Sequence, residues 1–191
     1  MRQRENQRVM LTRRLLEEAL LDLMEEKPLS QIGVSELCKR AGINRTTFYN
    51  HYGSPADVFA EIERDTVREL RERLDAATPA GEELTLGRRV EVLCSYLRSH
   101  ERFSKLLFMQ AGDNSNFLEA LLQMPEGQPE AVRNSAMGYD TETLALLKTF
   151  LAHGIYALVR KWVLEDVPKT PQEIGQLAER VALRGWAARQ G

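Results

Sequence analysis

A chain of 191 residues, 43% hydrophobic and 28% charged, has apolar material for a buried core, as one large domain or a small head on a body. Its net charge of −2 divides unevenly, with nine Lys or Arg against seven acids in residues 1–53 and 17 against 21 in residues 54–191, the pattern of a protein that meets phosphate at one end. Two cysteines 56 positions apart, no apolar leader and no apolar run near the ~18 residues of a membrane helix argue against a disulfide scaffold and a membrane span, so a cytoplasmic protein is expected.

Helical spacing recurs along the whole chain. Leu16, Ala19, Leu20 and Leu23 form one apolar stripe, which predicts a first helix over about 12–26, ended by Pro28. A second, short helix follows over 34–41, with Val34, Leu37 and Cys38 inward. Gly42 supplies the turn, and Asn44 caps a third helix over about 45–52. Gly53 stops that helix, and Ser54-Pro55-Ala56-Asp57 opens a fourth that reaches about residue 76. "TPAGEE", residues 78–83, is the expected hinge. Further helices are expected over 84–99, 102–111, 116–124, 141–165 and 172–189, with a loose segment at 125–139.

From Leu37 to Ala56 the sequence holds no acid at all. On the third helix Phe48 and Tyr52 point inward behind Ile43, leaving Arg45, Thr46, Tyr49 and Asn50 outward and Thr47 and His51 on the flanks. Guanidinium and amide groups bridge purine edges, and a Thr methyl meets thymine. Hydroxyl, imidazole and ammonium groups meet phosphate. Two short helices joined at a Gly, the second carrying such a face, describe a helix-turn-helix reader of the major groove. A carboxylate there would meet a phosphate.

The segment "TRRLLEEALLDLMEEKPLSQIGVSELCKRAGINRTTFYNHYGSPADVFAEI", 12–62, resembles the DNA-binding head of the TetR family of bacterial transcriptional regulators. The shared features are the apolar first helix, "VSELCKRAGI", the aromatic-rich "TTFYNHY" and the capped fourth helix. The resemblance implies an all-α protein, with a three-helix helix-turn-helix head on a bundle of about six helices. The head would span 1–54, with an arm at 1–9 and a connecting helix at about 55–77. An effector-binding and dimerisation domain would span 78–191.

The resemblance further implies that Arg45, Thr46 and Asn50 meet base edges, and that Thr47, Tyr49 and His51 meet the backbone; Lys39 is a further phosphate partner by its charge, and Ser35 by its hydroxyl. Tyr49 also has the option of packing on the first helix. Two positions depart from the family pattern. Gly33 stands where a capping hydroxyl is usual, with Ser35 as a substitute, and Pro55 stands where a Lys is frequent. The arginines of the arm, Arg2, Arg4 and Arg8, offer compensation by reaching a minor groove.

"HERFSKLLF" and "GIYALVRKWVLEDVPKTPQEIGQLAERV" resemble bodies of the same family, which commonly hold a small effector and pair across a twofold axis. Candidate lining residues are Tyr96, Phe103, Phe108, Phe150, His153 and Tyr156. Each also reads as ordinary core, His153 as a buried histidine. Leu151, Ile155, Leu158 and Trp162 of the long helix and Leu177, Ala178, Val181 and Ala182 of the last are the expected dimer face. The small residues there permit close approach. The alternative is that both stripes are intrachain core.

No nucleotide loop, Walker lysine or nucleophile elbow is present. Three scattered His and two distant Cys suggest no metal, so neither enzyme nor cofactor is expected. The expected partners are double-stranded DNA, a second copy of the chain and an unidentified small effector, without a membrane. The function read from the sequence is a homodimeric repressor on an inverted repeat. Its rival is an activator or coactivator that works through a partner regulator.

Overall fold

A computed structural model describes residues 2–79, 84–110 and 140–187. Among these, eight α-helices and one 3-10 turn account for the regular structure, and there is no strand. The chain divides into two compact units, with the boundary between Thr66 and Val67.

The first unit begins with α1, Arg2–Glu26. Leu16, Ala19, Leu20 and Leu23 are buried, as the stripe requires, together with Met24. The helix starts ten residues before the expected Thr12, so the anticipated arm is helical. Residues 2–11 contain neither Gly nor Pro and are rich in helix-favouring Arg, Gln and Glu. They show no apolar period, and so gave no helical signal.

After the 3-10 turn Leu29–Gln31 comes α2, Val34–Ala41, which buries Leu37, Cys38 and Ala41. Gly42 closes it at φ 67°, ψ 25°, its N–H donating back to Cys38 and Lys39 carbonyls. This left-handed C-cap costs an L side chain strain that Gly avoids. Lys27–Glu36 and Arg40–Glu26 ion pairs, the latter at 2.7 Å, tie α1 to α2.

The third helix, α3, spans Arg45–Tyr49 and is shorter than expected. Asn50 and His51 form the turn beyond it, yet Asn50 N–H still donates to Thr46 O and Tyr52 N–H to Phe48 O. The helical register therefore carries through to Tyr52.

The fourth helix, α4, spans Pro55–Ala77. Asp57 Oδ2 accepts from the backbone N–H of Gly53 (2.9 Å) and Ser54 (2.8 Å), while Asp57 N–H faces Ser54 Oγ at 3.4 Å. This reciprocal box satisfies backbone donors where the chain turns.

The second unit contains the end of α4 with α5, Leu86–Ser99; α6, Glu101–Gln110; α7, Thr141–Leu164; and α8, Pro171–Ala187. Thr85 and Asp140 cap α5 and α7 with their side chains. α5 and α8 pack together through backbone. A Cβ added at Gly175 would lie 2.3 Å from the Gly87 carbonyl oxygen, closer than atoms can sit. Val90, Leu93 and Leu97 are buried on α5, and Ile174, Ala178 and Ala182 on α8.

α6 and α7 meet through Phe108 and Tyr156, whose ring centroids are 5.6 Å apart, and Arg160 Nε donates to the Phe108 carbonyl. The loop between α7 and α8 is pinned where Trp162 Nε1 donates to Lys169 O at 2.9 Å and Arg98 covers the Trp162 ring. The helix expected at 116–124, the loose segment at 125–139 and most of the hinge lie outside the described residues.

Candidate nucleic-acid interface

The interface is built from an inside and an outside on one short helix. Phe48 is fully buried and Tyr52 nearly so, with ring centroids 5.9 Å apart. Asn44 sets the start of the helix, its side-chain carbonyl accepting from Thr47 N–H at 2.7 Å. With the inner face anchored and the first turn capped, the outer face is fixed by helical geometry.

Arg45, Thr46, Tyr49 and Asn50 are exposed on that face, and Thr47 and His51 are half-buried at its flanks. Tyr49 stands with 58% of its surface exposed, its ring edge-to-face with Phe48 at 5.5 Å. It is therefore directed outward. Ser35 and Lys39 are exposed on α2. All eight residues expected at the interface lie at the surface or partly open to it.

The charges around this face are sorted. Arg40 is turned to Glu26 and Asp22 of α1, and Glu36 to Lys27. Asp57, the first carboxylate after the acid-free stretch, is taken up by backbone N–H groups. Lys39 and Arg45 remain exposed. An anionic duplex would meet two cations and a row of neutral hydrogen-bonding groups. Gly33 gives α2 no side-chain cap, so the departure noted in the sequence is also present in three dimensions.

Behind the face lies a polar seam that the sequence did not disclose. Arg13 of α1 pairs with Glu61 of α4 at 2.6 Å, and Arg13, His51, Tyr52, Gly53, Asp57, Glu61 and Arg64 line a common open hollow. Burial and the neighbouring Glu61 push the Tyr52 hydroxyl well above its ordinary range, so it stays neutral. Burial, then Asp65 and Glu61, raise the Glu17 carboxyl. Only a salt-bridge spacing across two helices would have revealed this seam, and no local motif encodes that.

In the second unit the expected effector residues separate. Phe108 and Tyr156 are buried and in contact, and Phe103 is buried. Tyr96 is buried with its hydroxyl donating to Glu69 at 3.1 Å, Arg73 over its ring and His100 stacked on it. Phe150, however, is 76% exposed, and His153 is exposed with Nδ1 against Thr149 O, so the reading of a buried histidine is corrected. A cleft of about 20 Å³ at Leu97, Arg98, Trp162 and Asp166 has room for a water and no more.

The expected dimer residues also divide. Trp162, Ala178 and Ala182 are buried within their own unit, the first under Arg98 and beside Lys169, the others on the buried face of α8. Leu151, Ile155, Leu158 and Leu177 are half-buried, and Val181 is exposed. Leu146 and Phe150, off the expected stripe, are the more exposed apolar residues of α7.

Among the described residues no group of His, Cys, Asp or Glu is placed to hold a metal, and no helix is long and apolar enough to cross a membrane.

A capped helix-turn-helix with a carboxylate-free outer face defines a DNA-binding protein of the helix-turn-helix class. Comparison with known proteins agrees. The family model described as bacterial regulatory proteins, tetR family, matches residues 16–62. YxbF, a helix-turn-helix-type transcriptional regulator of Bacillus subtilis strain 168, is 31% identical over 78 residues, or 40% of this chain and 20% of that relative's length.

Solved structures share the fold over nearly the whole length. A TetR-family regulator from Syntrophomonas wolfei superposes with a TM-score of 0.64 at 18% identity, covering 93% of this chain and 96% of its own. The fatty acid degradation regulator FadR from Bacillus halodurans gives 0.60 at 16% identity over 90% and 97%. The dihydroxyacetone kinase operon activator DhaS gives 0.57 at 17% over 93% and 97%. Residues 16–62 are thus a TetR-family DNA-binding head, and the chain shares the fold of TetR-family regulators over nearly its whole length.

Proposed function

We propose that the chain is a homodimeric repressor that binds an inverted-repeat operator and is released by a small effector. One observation carries the DNA-binding part. The exposed face of Arg45, Thr46, Tyr49 and Asn50 is held rigid on buried Phe48 with no carboxylate upon it. In this reading Arg45, Thr46 and Asn50 meet base edges, and Thr47, Tyr49, His51, Ser35 and Lys39 meet phosphates.

A single head reads few base pairs, so a twofold pair of heads on an inverted repeat supplies the specificity. Leu146 and Phe150 of α7 and Val181 of α8, exposed by 68%, 76% and 60%, support pairing through these helices. Trp162, Ala178 and Ala182 leave the proposed dimer face because they are already covered.

The effector part rests on the buried aromatic residues Tyr96, Phe103, Phe108 and Tyr156 of the second unit. Tyr96 is held to α4 through Glu69, and this places an aromatic contact on a helix that also belongs to the head.

The test is fluorescence anisotropy of labelled 30-base-pair duplexes of the chain's own upstream region with the parent and the double variant Arg45→Ala/Tyr49→Ala. Lost binding with an unchanged thermal melt is expected. Equal binding by the two proteins would remove this face from the interface.

A further inference from the structure

α1 and α4 lie side by side and run in the same direction, because Arg13 pairs with Glu61 and Glu17 is under the influence of Glu61 and Asp65. Stepping back along both helices from Arg13 and Glu61 reaches the start of α4 at Pro55 near the level of Val9 and Gln7. α4 begins there, whereas α1 begins about five residues earlier, at Arg2. At 1.5 Å per residue, Arg8 stands about 8 Å beyond Arg13 along the axis and the first turn roughly 16 Å beyond it.

That end of the head is the one carrying His51 and Gly53, which share a hollow with Arg13 just after α3. The first turns of α1 therefore extend past the edge of the proposed base-reading face, and they are cationic. Five Arg and one Glu occupy residues 1–14, and no further acid appears until Glu17. Arg13 is committed to Glu61, whereas Arg8 and Arg14 are exposed, and Arg4 falls one helical turn before Arg8. Met10 and Leu11 are exposed beside them.

We infer that the amino-terminal half of α1 is a second DNA-contacting element, a basic helix whose exposed Arg8 meets a backbone phosphate flanking the bases read by α3. It is helical, so it lies along phosphates rather than threading a minor groove as an extended arm would. It adds affinity without sequence information. Its cation stands in for contacts that Gly33 and Pro55 do not make. This element rests on the proposed DNA-binding reading, being continuous with that face and opposite in charge to its partner.

The experiment compares the intact chain with its Arg8→Ala variant on a mixed-sequence 30-base-pair duplex between 20 and 200 mM NaCl. A lost phosphate contact lowers the slope of log K against log salt by about 0.9, so the variant is expected to lose about that much per chain with an unchanged thermal melt. A parent that binds and a variant of equal slope would overturn the inference and leave the proposed function standing. A parent that does not bind at 20 mM NaCl would overturn both. In a parallel arm with phosphatidylglycerol vesicles, binding that exceeds the duplex and is lost in the variant would overturn it in favour of a lipid surface.

Discussion

Phe48 and Tyr49 are neighbours in sequence and opposites in environment: the first is fully buried and the second is 58% exposed, with rings edge-to-face at 5.5 Å. The buried ring fixes the helix, and the helix aims the exposed ring. Phe48→Ala is expected to destabilise the first unit by about 3–5 kcal/mol, because a large ring leaves a cavity in a small core. Tyr49→Ala should cost about 1 kcal/mol or less, the value of an aromatic edge contact. Urea unfolding of both variants checks this; similar losses would contradict the division of roles.

The second unit depends on backbone contact between α5 and α8. Gly175→Ala places a methyl against the Gly87 carbonyl and should cost roughly 1–3 kcal/mol as the helices spread. Gly154→Ala is the control, since nothing lies within 4 Å of a Cβ there and α7 continues through it. It should stabilise by about 0.5–1 kcal/mol, the helical advantage of Ala over Gly. Thermal melts of the pair should move in opposite directions.

Glu17 gives a pH signature. Burial first, then Asp65 and Glu61, raise its carboxyl above 4.5 in the folded state, so the fold binds this proton more tightly than the unfolded chain does. The stability linked to that proton is present in full below pH 4.5 and is lost as pH rises through the raised value. Glu17→Gln should therefore melt higher than the parent at pH 7 and close to it at pH 4. A Gln variant less stable at pH 7 would show that the attraction of Arg13 and Arg14 outweighs burial.

The proposed pairing through α7 has its own readout. Leu146→Lys/Phe150→Lys places two charges on the exposed apolar residues. Light scattering should fall from twice the 21.8 kDa chain mass to the mass of one chain, with helix content retained. An unchanged mass would move the interface elsewhere.

Punctuated segments were legible. α2 begins and ends where Gly33 and Gly42 bracket an apolar stripe, and Asn44 and Ser54 cap the helices the sequence assigned to them. The early start of α1 was not legible, because residues 2–8 are all polar and Val9, Met10 and Leu11 run consecutively, so the ten residues carry no apolar period to betray them. His153 and Trp162 misled for a different reason. A helical wheel locates the apolar side of a helix but not the neighbour that covers it. Only the tertiary contacts of Trp162 with Arg98 and the loop at Lys169, and the approach of Gly87 to Gly175, decide which face is inside.

The outward face of α3 is tested most directly by selecting bound duplexes from a random-sequence library with the intact chain and with Arg45→Ala/Tyr49→Ala. The account predicts a twofold-symmetric sequence enriched by the parent and not by the variant. Enrichment of the same sequence by both proteins, or of none by the parent, would contradict it.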